Sequence, residues 1–124
     1  MKIQRNNYEI LGLPIGPYVH SVTHHNTLYT SGLTAFGTQA EQGTITEQAH
    51  AIFTQLELIA EEQRTSLQSL IKVTIFVTDL TDIDKLRDFL FEIYGESLPA
   101  SSLIKIDSLF SPDLLIEVEA LLAL

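Results

Sequence analysis

The stretch Leu70-Ile71-Lys72-Val73-Thr74-Ile75-Phe76-Val77-Thr78 is the clearest strand signal in this 124-residue chain. β-Branched residues are frequent in it, and its apolar side chains alternate along the chain, which is typical of a β-strand. The residues predicted to share one face are Ile71, Val73, Ile75 and Val77. Lys72, Thr74, Phe76 and Thr78 are predicted on the other face.

An amphipathic helix of about five turns is predicted before this strand. Thr44 and Glu47 have the spacing of a capping box, in which each side chain binds a free backbone N–H of the other residue. Apolar residues then recur at helical spacing, at Ala49, Ile52, Phe53, Leu56, Ile59 and Ala60. The predicted polar face contains Gln48, Gln55, Glu61, Glu62 and Arg64, and the helix is predicted to end before Thr65.

A second helix is predicted after the strand, from Thr81 or Asp82 to Gly95, a residue that often ends helices. Further strands are predicted on both sides of the two helices. The runs 18–23 and 27–33 flank a polar turn and indicate a β-hairpin. Ser102–Asp107 and Leu115–Ala123 follow the second helix. The predicted order β-β-α-β-α-β-β indicates an α+β fold with two helices on one face of a sheet.

The face that the helices leave open is also predicted to be buried. The last strand places Leu115 and Leu121 on this face, beside Glu117 and Glu119. Apolar residues make up 45% of the chain and charged residues only 19%. The mean hydropathy is +0.18, which is high for a small monomer. Length and the absence of a linker predict a single domain over residues 1–124.

The charge balance excludes some partners. Seven Lys and Arg residues oppose sixteen Asp and Glu residues, a net charge of −9, and such a surface repels nucleic acid and anionic lipids. No apolar run reaches the ~20 residues that span a bilayer, and the N-terminus lacks a signal-peptide core. We therefore expect a soluble cytoplasmic protein. The absence of cysteine excludes disulfides and thiolate zinc sites.

Glu117 and Glu119 are the first candidates for chemistry. Because these residues are two positions apart on a strand, their β-carbons lie on the same face of the sheet, about 6.5 to 7 Å apart. Apolar surroundings and mutual repulsion raise carboxyl pKa values, which suits a general acid or base. The alternative is that both glutamates belong to a solvated stripe at the margin of the sheet and have no chemical role.

The other candidates are weaker by themselves. His20, His24, His25 and His50 lack the spacing of a helical zinc motif, so they are interpreted as surface or turn residues and no metal site is predicted. Ser31-Gly32 follows a strand, where a glycine lets backbone N–H groups approach a ligand, although a bulge or strand exit would explain it too. Ser101 and Ser102 lack the pattern of a nucleophilic serine.

Five motifs resemble the RidA/YjgF/YER057c/UK114 family, whose other names are endoribonuclease L-PSP and translation initiation inhibitor. They are Ile15–Val19 (IGPYV), Thr30–Gly32 (TSG), Ile75–Leu80 (IFVTDL), Pro99–Ser102 (PASS) and Ile116–Ala120 (IEVEA), in the family's order and spacing. The resemblance extends from about Tyr8 to Leu122. It implies a chorismate-mutase-like fold and a homotrimer with a central β-barrel and helices outside.

The resemblance also implies a site and an activity. Family members bind small carboxylates in clefts between subunits and, in one branch, hydrolyse enamines and imines derived from amino acids to 2-oxo acids and ammonia, without a cofactor. Tyr18 matches a tyrosine that lines the cleft, and Ser31 and Gly32 match backbone contacts to the ligand. Glu117 matches the glutamate that positions or activates water. Glu117 and Tyr18 are thus the predicted catalytic residues.

The chain departs from the deaminase branch at two positions. Ser101 stands where that branch has an arginine that binds the substrate carboxylate, and a hydroxyl offers neither its charge nor its fork geometry. Arg87 stands where the branch has asparagine. It is either a relocated cation for the cleft or an exposed residue that pairs with Asp84 or Asp88. Arg87, Ser101 and Leu103 complete the predicted ligand-binding set.

Three functions follow from the resemblance. The first is a small-molecule imine or enamine hydrolase with altered specificity. The second is a trimeric metabolite-binding or sensor module without turnover, which the missing arginine favours. The third, an endoribonuclease or translation inhibitor, is opposed by the net charge of −9.

Overall fold

Two helices pack on a mixed sheet, as predicted, and the sheet has six strands, one more than predicted. The computed structural model describes residues 2–124. The strands are β1 (Gln4–Asn6), β2 (Ser21–His24), β3 (Thr27–Thr30), β4 (Leu70–Val77), β5 (Ala100–Lys105) and β6 (Ile116–Ala123). The helices are α1 (Ile45–Glu62) and α2 (Ile83–Tyr94). Single 3-10 turns lie at Glu9–Leu11 and Leu67–Ser69.

The strand order in the sheet is β1-β2-β3-β6-β4-β5. Every neighbouring pair is antiparallel except β4 and β5, which α2 connects as a parallel crossover. The last strand in sequence therefore lies in the middle of the sheet. Strand β1 was not predicted, because its three residues are polar and it pairs at the sheet edge.

Local sequence signals explain most element ends. The capping box is confirmed: Glu47 N donates to Thr44 Oγ1 at 3.2 Å, and Thr44 N donates to Glu47 Oε1 at 2.8 Å. The hairpin turns at His25 and Asn26, which both have positive φ, and this is the conformation of the tight turn that suits twisted strands. Gly95 ends α2 at φ +59°.

Three predicted side-chain positions are wrong. A β-bulge between Leu70 and Lys72 shifts the register of β4, so Ile71 is 44% exposed and Leu70 takes the buried place. Leu115 precedes β6 and packs against the core, not on the open face. Gln48, predicted on the polar face of α1, is fully buried.

Gln48 is tolerated in the core because its amide binds four backbone groups. Its Nε2 donates to the carbonyl oxygens of Asp113 at 2.8 Å, Glu41 at 3.0 Å and Gly43 at 3.4 Å. Its Oε1 accepts from Leu115 N at 2.9 Å. This amide joins the loop before α1 to the loop before β6 and fixes where β6 begins.

The two faces of the sheet differ in burial. On β6, Ile116, Val118, Ala120 and Leu122 are buried in the core, while the side chains between them are partly or fully exposed. The open face also includes Tyr29 on β3 and Ile104 on β5, which are 42% and 43% exposed. No helix within residues 2–124 is long and apolar enough to cross a membrane.

Candidate active site

A cleft of about 880 Å³ opens where the chain leaves β3. Its walls come from the segment 10–15, the turn before β2, the loop 31–38, helix α1 and the two single residues Phe110 and Glu117. Its size lies within the usual range of small-molecule pockets.

Four of the predicted site residues line this cleft together. They are Tyr18, Ser31, Gly32 and Glu117, which lie far apart in sequence. They meet because Leu33 pairs with Val118 in an isolated antiparallel bridge, which brings the end of the hairpin to the start of β6.

The Glu117 carboxylate is half-buried in the cleft. Burial raises the pKa of its carboxyl above the ordinary value of 4.5, and the negative charge of Glu119 raises that pKa further. No group within residues 2–124 donates a hydrogen bond to Glu117 to offset these effects. Such a carboxylate can take a proton from a bound molecule.

Gly32 lies directly against this carboxylate. A β-carbon placed on Gly32 would lie 2.6 Å from Oε2 of Glu117 and 2.7 Å from its Cδ. A β-carbon at residue 32 therefore has room only if the Glu117 carboxylate moves, and the backbone φ of Gly32 is not in the left-handed region.

We expect Gly32→Ala to displace the Glu117 carboxylate while the fold is kept. The clash involves the flexible end of a side chain, so the cost should be about 1 kcal/mol of unfolding free energy. In a carbon-detected NMR titration, the pKa of Glu117 should move down toward its ordinary value as the carboxylate enters solvent. In the Glu117→Ala background the same substitution should cost nothing; an equal cost in both backgrounds would show that Gly32 is constrained by something else.

Ser31 is held by its neighbours. Its Oγ donates to the carbonyl oxygen of Val19 at 2.6 Å, and its backbone N–H donates to the carbonyl oxygen of His20 at 3.0 Å. The backbone N–H of Gly32 makes no hydrogen bond with any other group in residues 2–124. Gly32 is thus the residue of this pair whose N–H is available to a ligand.

His20 is a cleft residue that the sequence reasoning missed. It was interpreted as a surface or turn residue, but it is buried, and it lines the cleft. Its Nδ1 accepts a hydrogen bond from Tyr8 N at 2.9 Å, and its ring stacks on that of Tyr8. Only the neutral imidazole can accept this bond. Burial also lowers the pKa of His20, so its ring is neutral at neutral pH.

The three other predicted ligand residues lie outside the cleft. Ser101 and Leu103 are on β5, which is separated from β6 by β4. Ser101 pairs with Val73 on the helix-covered side of the sheet, whereas Glu117 is on the open side. Two strand spacings also separate β5 from β6, about 10 Å. Within one chain, Ser101 cannot reach Glu117.

Arg87 is exposed on α2. Its Nη1 lies 3.6 Å from Oδ1 of Asp84, which is even more exposed. This is the arrangement expected if Arg87 is a surface residue paired within its own helix. Within residues 2–124, no three His, Asp or Glu side chains come close enough together to hold a metal ion.

Known proteins resemble this chain over most of its length. The sequence model of the family described as Endoribonuclease L-PSP matches residues 11–124. A RutC family protein from Pyrococcus abyssi is 32% identical over 111 residues, which are 87% of this chain and 87% of the relative. A 2-iminobutanoate/2-iminopropanoate deaminase from Dermatophagoides farinae is 28% identical over 99 residues, 77% of each protein.

Solved structures agree with the sequence comparison. RidA from the Antarctic bacterium Psychrobacter sp. superimposes with a TM-score of 0.82 at 25% identity, over 90% of this chain and 92% of that chain. The family match begins in the cleft wall and includes the hairpin, both helices and the strand that bears Glu117. The chain therefore belongs to the endoribonuclease L-PSP family, the family of RidA, YjgF and UK114.

Proposed function

We propose that this protein hydrolyses C=N bonds of small imines or enamines in the cleft, with Glu117 as the base that activates water. The observation that supports this role is the half-buried carboxylate against Gly32, which lacks a hydrogen-bond donor and has a raised pKa. The name of the Dermatophagoides farinae relative, 2-iminobutanoate/2-iminopropanoate deaminase, supports the same class of reaction.

In the proposed reaction, a water oxygen adds to the carbon of a protonated C=N bond while Glu117 takes one proton from that water. The resulting carbinolamine receives this proton on nitrogen, the C–N bond breaks, and ammonia leaves. The remaining hydroxyl gives its proton to Glu117 as the C=O bond forms, and Glu117 then releases that proton to solvent. One protonated imine and one water give one carbonyl compound, one ammonia and one proton, with no change in oxidation state.

The other cleft residues have supporting roles in this proposal. The N–H of Gly32 donates to the ligand in this proposal, because it has no hydrogen-bond partner within residues 2–124, whereas the N–H and hydroxyl of Ser31 are already bonded to His20 and Val19. The Tyr18 side chain forms part of the wall. Ser31 acts by fixing the loop that presents Gly32.

We further propose that the protein is a homotrimer in which Arg87, Ser101 and Leu103 of one copy face the cleft of another. The open sheet face supports association, because it exposes apolar side chains such as Tyr29 and Ile104. Light scattering at micromolar concentration should give three times the chain mass of 13.8 kDa. A monomer mass would contradict both the trimer and the shared cleft.

A metabolite-binding module without turnover is the second candidate. The serine at position 101 favours it, because the chain lacks the charged contact that the family's deaminase branch uses at this place. Ammonia release from a panel of imines, generated in the assay from amines and from amino acids, separates the two functions. Release above the buffer rate supports the hydrolase, and no release on any imine in the presence of measurable ligand binding supports the module.

A further inference from the structure

The cleft contains one acidic side chain and no basic one. Among the described residues that line it, Glu117 is acidic and none is lysine or arginine. The His20 ring is held neutral by the hydrogen bond that its Nδ1 accepts from Tyr8. When Glu117 is ionised, the cleft is therefore negatively charged.

Apolar and aromatic side chains form most of the remaining cleft surface, and the uncharged polar residues Ser31, Thr34, Thr38 and Gln55 complete it. Phe36 and Phe110 contact each other edge to face, with ring centroids 5.1 Å apart, and Tyr18 adds a third ring. Ile10, Leu13 and Ile15 also line the cleft. Aromatic rings attract cations, and an apolar environment strengthens the attraction between a carboxylate and a positive charge.

Within residues 2–124, no lysine or arginine of the same chain lines the cleft to reverse this charge. Arg87 is paired with Asp84, and Ser101 and Leu103 are uncharged. Lys72 donates from Nζ to Ser102 Oγ at 2.7 Å and does not line the cleft. A copy that presented Arg87, Ser101 and Leu103 to a neighbouring cleft would bring the Arg87–Asp84 ion pair and two uncharged side chains. The chain as a whole has a net charge of −9.

We propose that the cleft selects small organic cations, namely apolar primary amines and the iminium ions derived from them, and rejects carboxylates. The positive nitrogen pairs with Glu117, and the apolar group lies against Tyr18, Phe36 and Phe110. This inference rests on the proposed function, because it names the substrate class of the same site. Its reaction is the hydrolysis given above, applied to iminium ions that lack a carboxylate.

The test is calorimetric titration with three ligands of one size: benzylamine, benzyl alcohol and benzoate. Benzylamine is expected to bind at least about tenfold more tightly than benzyl alcohol, since charge-assisted hydrogen bonds exceed neutral ones by that margin. Benzoate should show no saturable binding. Binding of benzoate as tight as that of benzylamine would overturn the proposal, and so would the absence of saturable binding by all three.

Two variants test whether the charge of Glu117 causes the preference for benzylamine over benzyl alcohol. Glu117→Gln should bind benzylamine and benzyl alcohol equally. Glu119→Gln, two residues along the same strand and exposed, should keep the preference for the amine. A preference that survives in Glu117→Gln would overturn the proposal, because the charge would then lie elsewhere.

The two proposals can fail separately. Ammonia release is compared between the imine of an apolar aldehyde with an unsubstituted nitrogen (R–CH=NH) and a 2-imino acid of similar size. Faster release from the imine without a carboxylate supports both proposals. Faster release from the 2-imino acid keeps the hydrolase and overturns cation selection. Benzylamine binding without release from either imine keeps the cation site and contradicts the hydrolase.

Discussion

Glu117→Gln is expected to slow ammonia release by about 100-fold or more on any imine that the wild-type protein hydrolyses. General bases commonly contribute at least this factor, and an amide cannot take a proton from water. The rate constant is measured by coupling ammonia to an NADH-dependent dehydrogenase. A rate within a few-fold of the wild-type rate would remove Glu117 from the mechanism.

Loss of folding should not explain this effect. The pKa of Glu117 is raised by folding, so the folded chain opposes ionisation of this carboxyl. The contribution of Glu117 to the stability of the folded chain therefore falls as the pH rises from the unfolded-state value of about 4.5 through the folded-state pKa. Glutamine avoids this cost, so at neutral pH the variant should melt at the same temperature as the wild-type protein or above it.

Glu119→Gln provides the matched control. Glu119 is on the same strand and is exposed, so its loss should change the maximal rate by only a few-fold. Because the charge of Glu119 raises the pKa of Glu117, its removal should shift the acid limb of the pH–rate profile to lower pH. An unshifted limb would show that another group controls that limb.

Gln48→Leu is expected to lower the free energy of unfolding by about 3–5 kcal/mol. Leucine has a similar size but leaves the backbone groups of Asp113, Glu41 and Leu115 without their partner. Each buried polar group left unpaired costs about 1–3 kcal/mol. Urea denaturation followed by circular dichroism measures the difference.

Gln55→Leu is the comparison on the same helix. Gln55 is partly buried, and its Nε2 makes a single hydrogen bond, to the carbonyl oxygen of Thr34 at 2.9 Å. Its loss should cost about 1 kcal/mol. Equal costs at Gln48 and Gln55 would mean that the bonds of Gln48 to the two loops do not determine stability.

Local sequence signals predicted the helices and most strands. The capping pair Thr44 and Glu47 and the glycine after α2 act within a few residues, so they can be interpreted without the rest of the chain. Gln48 could not be placed in this way. An amide side chain is expected to be exposed. The burial of Gln48 becomes favourable only through hydrogen-bond partners that are distant in sequence, such as the backbone of Asp113. The bulge that exposes Ile71 also depends on pairing with β6.

The part of the candidate site that depends on local sequence motifs was also predictable. Glu117, Tyr18, Ser31 and Gly32 were found because their motifs resemble those of the family, and one chain brings all four to one cleft. His20 was missed because its neutral state and its place in the wall depend on the backbone of Tyr8, twelve residues earlier. Its position next to the motif residue Val19 was the available signal.

The central position of β6 has a consequence for synthesis of the protein. This strand follows all others in sequence but lies between β3 and β4. A ribosome-bound chain that has not yet released residues 116–123 therefore has two unpaired strand edges, which are prone to aggregation. It also lacks Glu117. Folding must wait for these distant contacts, which slows it, and a nascent or truncated chain is without both a continuous sheet and the cleft carboxylate.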